Sequence, residues 1–355
     1  MLDIFLISLA FPLALLLVTL IYRKITFYSM FFLICIGIYF LGVILWYFFV
    51  VSYGGDNTVF IFPDEKTYMY GDSTGFFGSI VKMIVSVVSL VGFRFLSVFC
   101  YSFGLLWLTT ELLQSYIEKD QKINMFKFSF ICIIAALGSY WSFFILKEGM
   151  TILCVSVYLI SYKRKNLVLK VFAILMTILV RPEIAIAIIL AEFIFFMWKR
   201  SKKLLFTLFF VGVFTIIYYF NSADSESLKL SFVSRRYGES EKIYDNEAIR
   251  TARLGFLPFI TSYTYLETIL GNFLRSLVPL YQSTSPISTP LTLINLIGSI
   301  LLLVKFKIRK DVPTIFGIII LVLLLASVSV ARYLTVIIIP LTIFLLLDNH
   351  KKKIN

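Results

Sequence analysis

The sequence contains little charge, a single histidine and few cysteines. Charged residues make up 15% of its 355 residues and apolar residues 60%, and the mean hydropathy is +0.94. A soluble domain of this length would have to expose much of that apolar surface, so the composition excludes one. The only histidine, His350, lies in a basic tail, which excludes mechanisms that need a buried histidine base. The four cysteines show no metal-ligand spacing, and their positions predict no disulfide.

Apolar runs separated by short basic loops predict an all-α polytopic membrane protein with about eleven transmembrane helices. Residues 1–355 form a single integral membrane domain in this interpretation. Several runs are shorter than the ~20 residues that a perpendicular helix needs, which predicts breaks at membrane depth. The predicted spans are residues 2–22, 27–51, 92–114, 126–146, 150–162, 167–180, 184–198, 204–220, 291–304, 312–330 and 334–347.

The distribution of basic residues predicts the orientation in the membrane. Most of the 33 Lys and Arg residues lie in short loops that would share one side of an eleven-span protein. The positive-inside rule makes that side cytoplasmic, with the N-terminus outside and the C-terminus inside a bacterial cytoplasmic membrane. The net charge of +13 is spread over many loops, which argues against nucleic acid as a partner and for the lipid bilayer. The first apolar run has no basic segment before it, so we expect a retained helix.

Two segments are too polar to be spans and are predicted to be extracytoplasmic loops. The first covers residues 52–91, and its apolar half, 79–91, is predicted to be a helix in the membrane interface. The second covers residues 221–290, and its later part is predicted to contain a re-entrant helix. The charged candidate residues in these loops are Asp64 and Glu65 in the first and Arg235, Arg236, Arg253 and Arg275 in the second.

Isolated charges interrupt three apolar runs on the predicted outer side. They are Lys147 with Glu148, Arg181 beside Pro182, and Arg332 with Tyr333. Exposure of such charges to lipid would cost a few kcal/mol each, so we expect them to face a polar cavity. A solvated turn is the alternative for Lys147 and Glu148.

Several arginines at the outer leaflet, without a Walker motif or a metal cluster, suit a phosphate ligand that arrives through the membrane. A polyprenyl-pyrophosphate sugar fits, because an acidic residue can take the proton of an acceptor hydroxyl while the arginines stabilise the departing pyrophosphate. No metal or other cofactor is expected. Outer-loop tyrosines could stack on sugar rings or anchor the protein at the interface. They are Tyr68, Tyr70, Tyr237, Tyr263 and Tyr265.

These residues together resemble the pattern of the Wzy and EpsG-like oligosaccharide repeat-unit polymerases, which make O-antigen, capsular and related polysaccharides. The resemblance covers most of the chain in layout. It rests on Pro63-Asp64-Glu65-Lys66-Thr67-Tyr68, Lys147-Glu148-Gly149, Arg181-Pro182-Glu183 and Ala331-Arg332-Tyr333.

The resemblance implies a GT-C-like helical fold and metal-independent transfer of a growing glycan from undecaprenyl pyrophosphate to an incoming lipid-linked repeat unit. A flippase and a chain-length regulator would be its partners. Arg181 and Arg332 would bind the pyrophosphate, and Asp64 or Glu65 would act at the acceptor. Together with the residue-based reasoning, the catalytic candidates are Asp64, Glu65 and Glu148, and the substrate-binding candidates are Arg181, Arg332, Lys147, Arg235, Arg236, Arg253, Arg275, Tyr68 and Tyr333.

Two other functions remain open at this point. A GT-C glycosyltransferase that moves one sugar from a polyprenyl phosphate would also place an acidic pair in an early outer loop, but usually after the first span. A lipid-linked oligosaccharide transporter or flippase is the non-enzymatic alternative. Transporters commonly contain an internal repeat, and the two halves of this sequence show none.

Overall fold

A computed structural model describes residues 2–23, 26–46, 76–118, 122–144, 146–221, 263–278, 288–326 and 331–348. Every regular element in these ranges is an α-helix. In chain order the helices are α1 (Leu2–Ser8), α2 (Ala10–Tyr22), α3 (Phe27–Trp46), α4 (Phe76–Ile117), α5 (Met125–Phe144), α6 (Leu146–Arg164), α7 (Leu167–Val180), α8 (Pro182–Arg200), α9 (Lys202–Asn221), α10 (Tyr263–Leu277), α11 (Ser288–Arg309), α12 (Val312–Ala326) and α13 (Ala331–Leu347).

Each predicted span is helical over most of its described residues. The first span, 2–22, is divided at Leu9 between α1 and α2, and Leu146, the last residue of the fourth, already belongs to α6. Three helical segments are long and apolar enough to cross a membrane by length and composition: Phe5–Tyr22, which runs across α1 and α2, Val91–Ile117 and Pro290–Arg309. Other apolar helices are shorter, such as Leu167–Val180 and Leu334–Leu347. Large apolar side chains are exposed along them, including Leu20, Phe172 and Phe214. Such surfaces indicate a membrane-embedded protein.

Helix α4 differs most from its predicted form. It runs without interruption over 42 residues and joins the predicted interfacial helix, 79–91, to the predicted span that begins at Gly92. At 1.5 Å per residue it is about 63 Å long. This is about twice the ~30 Å thickness of the hydrocarbon core, so a large part of α4 must lie outside that core or tilt strongly within it.

The centre of the bundle is formed by α4, α6 and α13, which pack against one another. Two glycines allow α4 and α6 to approach closely. A Cβ atom on Gly104 would lie 2.8 Å from the Cα atom of Leu153, and one on Gly149 would lie 2.6 Å from the carbonyl oxygen of Ser97. Real Cβ atoms do not approach backbone atoms so closely, so the helix contact requires glycine at both positions.

A three-residue ionic cluster joins α2, α4 and α6 at one end of the bundle. The Arg164 guanidinium lies 2.6 Å from the Glu111 carboxylate, which also accepts a hydrogen bond of 2.5 Å from the Tyr22 hydroxyl. Arg164 donates to the Tyr22 hydroxyl oxygen as well, at 2.8 Å. We call this the basic end, and we call the opposite end, where Glu148 and Arg181 lie, the Glu148 end.

A second ionic cluster at the basic end joins α6, α11 and α13. The Nη2 atom of Arg309 lies 2.6 Å from the Asp311 carboxylate and 2.6 Å from the Asp348 carboxylate. Lys163, next to Arg164 on α6, lies 3.8 Å from Asp348. The two clusters bring together the ends of the first, third, fifth, ninth and eleventh predicted spans. This arrangement agrees with the alternation that the basic loops predict.

Glu192 provides a further ion pair that the sequence analysis overlooked. It lies in the middle of the predicted span 184–198, and its carboxylate is 2.7 Å from the Lys170 ammonium and 3.0 Å from the Tyr158 hydroxyl. Acidic residues therefore pair with lysine and arginine toward the basic end too. Isolated charges in the apolar runs are therefore not confined to the predicted outer side.

Candidate functional site

The turn between α7 and α8 fixes the position of Arg181. Proline at position 182 has no backbone N–H and suits the first position of a helix, so α8 begins there. Arg181 has φ −148° and ψ 86°, outside the helical region, while its own N–H donates to the Thr177 carbonyl oxygen at 2.7 Å. Helix α7 therefore ends at Arg181 and α8 begins directly after it. The sequence predicts this break correctly from Pro182.

The first turn of α6 fixes Glu148. Its neighbour Gly149 packs directly against the Ser97 backbone of α4, which holds this turn against the bundle. The helix begins at Leu146, so Lys147 and Glu148 belong to the helix and do not form a separate turn. A carboxylate in the first turn also interacts favourably with the helix dipole.

Glu148 and Arg181 form a buried ion pair. The Nη2 atom of Arg181 lies 2.6 Å from Oε1 of Glu148, and their side chains are 9% and 2% exposed. Glu183 adds a longer contact of 3.5 Å to Nη1 of the same guanidinium, and its side chain is 56% exposed. The burial of Glu148 contradicts the alternative of a solvated turn at this residue. Lys147 beside it is half-buried.

Arg94 is a basic residue near this pair that the sequence analysis did not single out. It lies on α4 one turn before Ser97, the residue against which Gly149 packs, and its side chain is half-buried. Residues three apart on a helix share a face, so Arg94 lies on the α6 side of α4. A charge at the third residue of the predicted span 92–114 is the signal that could have identified it.

Three buried polar residues, Ser276, Asn295 and Thr335, connect α10, α11 and α13, and we call them the polar joint. The Asn295 side chain donates to the Ser276 carbonyl oxygen at 3.2 Å and accepts from the Thr335 hydroxyl at 2.9 Å. All three residues are at most 2% exposed. Asn295 lies seven residues into α11, about 10 Å along its axis from the helix start. The end of α10 therefore lies inside the bundle, in the segment where the sequence predicts a re-entrant helix.

Two of the predicted arginines lie close in sequence to residues of the polar joint. Arg275 directly precedes Ser276 on α10, and Arg332 precedes Thr335 by one turn on α13, with Tyr333 next to it. Both backbone positions therefore lie near Asn295. Since α6, α8, α11 and α13 all begin at the Glu148 end, Arg275 and Arg332 lie at the same end of the bundle as Arg181.

The remaining candidates lie outside the described residues. They are Asp64, Glu65, Tyr68, Arg235, Arg236 and Arg253. Within the described ranges, no group of three or more His, Cys, Asp or Glu residues is arranged to hold a metal ion.

The described part of the site is rich in cations. Arg94, Lys147 and Arg181 come from three different helices or turns, and two carboxylates accompany them.

Comparison with known proteins adds no family to this description: no protein-family model, no curated protein and no solved structure matches the chain.

Proposed function

We propose that this protein is a glycosyltransferase that polymerises undecaprenyl-pyrophosphate-linked oligosaccharide repeat units at the outer face of the bacterial cytoplasmic membrane. In this proposal eleven helices span the bilayer. The Glu148 end faces outward, because basic residues that favour the cytoplasmic side gather in the loops at the other end. The N-terminus then lies outside and the C-terminus in the cytoplasm.

The observation that carries the proposal is the buried guanidinium of Arg181 in a cation-rich end of the bundle. A guanidinium stays charged at all relevant pH values and binds phosphate oxygens through pairs of N–H groups. Arg181, Arg94 and Lys147 bring three positive charges to the same end of the bundle, and this concentration of positive charge suits a diphosphate that enters from the membrane.

Glu148 and Arg181 are 1% and 7% exposed, so a ligand reaches either side chain only when the surrounding helices separate. We propose that Glu148, a catalytic candidate of the sequence, acts by positioning Arg181. Its carboxylate, 2.6 Å from the guanidinium, orients that group and offsets part of its charge. Arg181 is thereby held ready for an anionic ligand, as supporting hydrogen bonds do in preorganised sites. Asp64 or Glu65 remains the proposed acidic group at the acceptor.

The proposed reaction transfers the growing glycan in one displacement. The acceptor hydroxyl oxygen of the incoming repeat unit attacks the anomeric carbon of the lipid-linked chain, and a carboxylate takes the hydroxyl proton. The bond between the anomeric carbon and the pyrophosphate oxygen breaks, and its electron pair leaves with the pyrophosphate. Arg181, Arg332 and Arg275 stabilise the negative charge that develops there. Lys147 contributes in the same way.

Arginine substitutions test the proposal in cells that make the polymer. Arg181→Ala and Arg332→Ala should each abolish long chains and leave a single repeat unit on the cell surface. Arg200→Ala, an exposed arginine at the opposite end of α8, is the matched control and should leave chain length unchanged. The variants and the unchanged protein must be present in the membrane in equal amounts. Normal chain length in a well-expressed Arg332→Ala variant would refute the proposed role of the arginines.

A further inference from the structure

Two lysines from different helices lie near each other at the basic end. Lys127 is in the first turn of α5, and Lys305 is four residues before the end of α11. The two helices pack against each other, and the two ammonium charges are close enough to repel. Lys127 is exposed and Lys305 is half-buried, so an anion can approach both from the surface of the bundle. We call these two residues the lysine pair.

The packing of α5 and α11 against α13 places the lysine pair at one depth. Gly138 of α5 and Gly298 of α11 lie against the side chains of adjacent isoleucines in the middle of α13. From these glycines to Lys127 and Lys305 is about 16 Å and 10 Å along the helices, toward the basic end in both cases. Asp348 lies a similar distance from the middle of α13 and attracts Lys305. The lysine pair therefore lies where the helices leave the apolar part of the bundle.

The carboxylates around the lysine pair are already matched by other cations. Arg309 contacts both Asp311 and Asp348 at 2.6 Å, and Lys163 lies 3.8 Å from Asp348. In the described part of the chain, the ammonium groups of the lysine pair have neither an ion pair nor a hydrogen bond. Two cations and two carboxylates therefore balance there, and the charges of the lysine pair remain in excess. An anion beside both ammonium groups would relieve their repulsion.

Apolar surface begins directly beside each lysine. Phe126, next to Lys127, is 82% exposed, and Val304, next to Lys305, is 53% exposed. In a membrane-embedded protein these side chains contact lipid acyl chains. A ligand that fills this place therefore combines a negative charge with apolar chains, which is the chemistry of an anionic phospholipid.

We propose that the lysine pair binds the phosphate headgroup of an anionic phospholipid between α5 and α11, with its acyl chains along the apolar surface beside the two lysines. Ammonium groups bind phosphate oxygens as point charges, and basic sites at the cytoplasmic boundary attract anionic lipids. The site goes beyond the proposed glycosyl transfer and does not depend on it, because it lies at the end of the bundle opposite Glu148 and Arg181.

Lipid titrations of the full chain in detergent test this inference, with native mass spectrometry to count the bound lipids. The probes are phosphatidylglycerol, which is anionic, and phosphatidylcholine, which is zwitterionic. The unchanged protein should bind phosphatidylglycerol more tightly. Lys127→Gln combined with Lys305→Gln should weaken phosphatidylglycerol binding about tenfold or more and leave phosphatidylcholine binding unchanged.

Two further variants control for charge and folding. Lys165→Gln combined with Lys203→Gln removes the same charge from two exposed lysines at the basic end, in other loops, and should leave phosphatidylglycerol binding unchanged. Lys127→Arg combined with Lys305→Arg keeps the charge of the lysine pair and should retain most of the binding.

Any of four results would overturn the inference. Equal affinity of the unchanged protein for the two lipids, or unaltered phosphatidylglycerol binding in the Lys127 and Lys305 glutamine variant, would mean that no headgroup site exists at the lysine pair. An equal loss in the Lys165 and Lys203 variant would reduce the effect to general surface charge. Inorganic phosphate that binds as tightly as phosphatidylglycerol would assign the lysine pair to a soluble anion.

Discussion

The Arg181 guanidinium contacts the Glu148 carboxylate at 2.6 Å and so joins the turn between α7 and α8 to the first turn of α6. The two residues are 33 positions apart in the sequence, and both are almost fully buried. An ion pair in such surroundings stabilises the fold only while both partners are present, because either charge alone would be buried without compensation. The pair therefore has a structural role as well as the proposed functional one.

Glu148→Met should lower the free energy of unfolding by about 3–5 kcal/mol, because it leaves the Arg181 charge in a buried position. The double variant Glu148→Met with Arg181→Met should recover most of that loss, since no charge remains. Thermal unfolding in detergent measures both effects. Glu183→Gln is the control and should change stability little, because its carboxylate is 56% exposed. A double variant no more stable than the single one would contradict the pairing.

Gly104→Ala should separate α4 from α6, because the new methyl group would lie 2.8 Å from the Leu153 backbone. We expect a loss of about 1–3 kcal/mol, as for other overpacked contacts. Gly37→Ala is the matched control: it lies within α3 with nothing within 4 Å of the new atom. It should stabilise the helix by about 0.5–1 kcal/mol. Opposite shifts in melting temperature would support this packing, and equal shifts would refute it.

Glu111→Gln should destabilise the basic end by about 1–3 kcal/mol, because Arg164 and Tyr22 would lose a charged acceptor. Glu118→Gln, an exposed residue on the same side of the bundle, should have almost no effect. Chemical unfolding of the two variants in parallel measures the difference. If both lose the same amount, the Glu111 cluster contributes nothing beyond surface charge.

Labelling with a membrane-impermeant thiol reagent tests the orientation. Single cysteines replace Glu183 and Lys165 in a variant that lacks the four native cysteines; both sites are exposed and lie at opposite ends of the bundle. Intact cells should label Glu183→Cys, and Lys165→Cys should react only after the membrane is permeabilised. The reverse pattern would invert the proposed topology and place the candidate site inside the cell.

The apolar runs predicted helix correctly for most of the described residues in each span, because length and hydropathy are local properties. The division of the first run at Leu9 was not predicted. Pro182 likewise located the break at Arg181. The contact between Arg181 and Glu148 could not be predicted, since it depends on how α6, α7 and α8 pack. Arg94 and Glu192 were missed because each lies inside one predicted span, whereas Arg181 and Arg332 lie between two. The 42-residue length of α4 was missed because residues 79–114 together are longer than one membrane span needs, which favoured a division at Gly92.

The sequence also predicted arginines converging at one end of the bundle. The structure describes the side chain of Arg181 there, paired with Glu148, and the convergence with Arg275 and Arg332 stays a prediction. The role of Asn295 was not predicted, although its side chain links α10 and α13, the helices that carry Arg275 and Arg332. A single amide in an apolar run gives no sign of its partners until the helices are packed.

The ionic clusters of the basic end limit how this bundle can move. Tyr22, Glu111 and Arg164 tie three helices together there, and Asp348 and Arg309 tie two more to α6. Any splaying that admits a bulky amphiphile must therefore pivot about that end and widen the opposite one. In the orientation that we propose, this opening lies in the outer leaflet, so a lipid-linked substrate would enter sideways from there while the basic end stays closed.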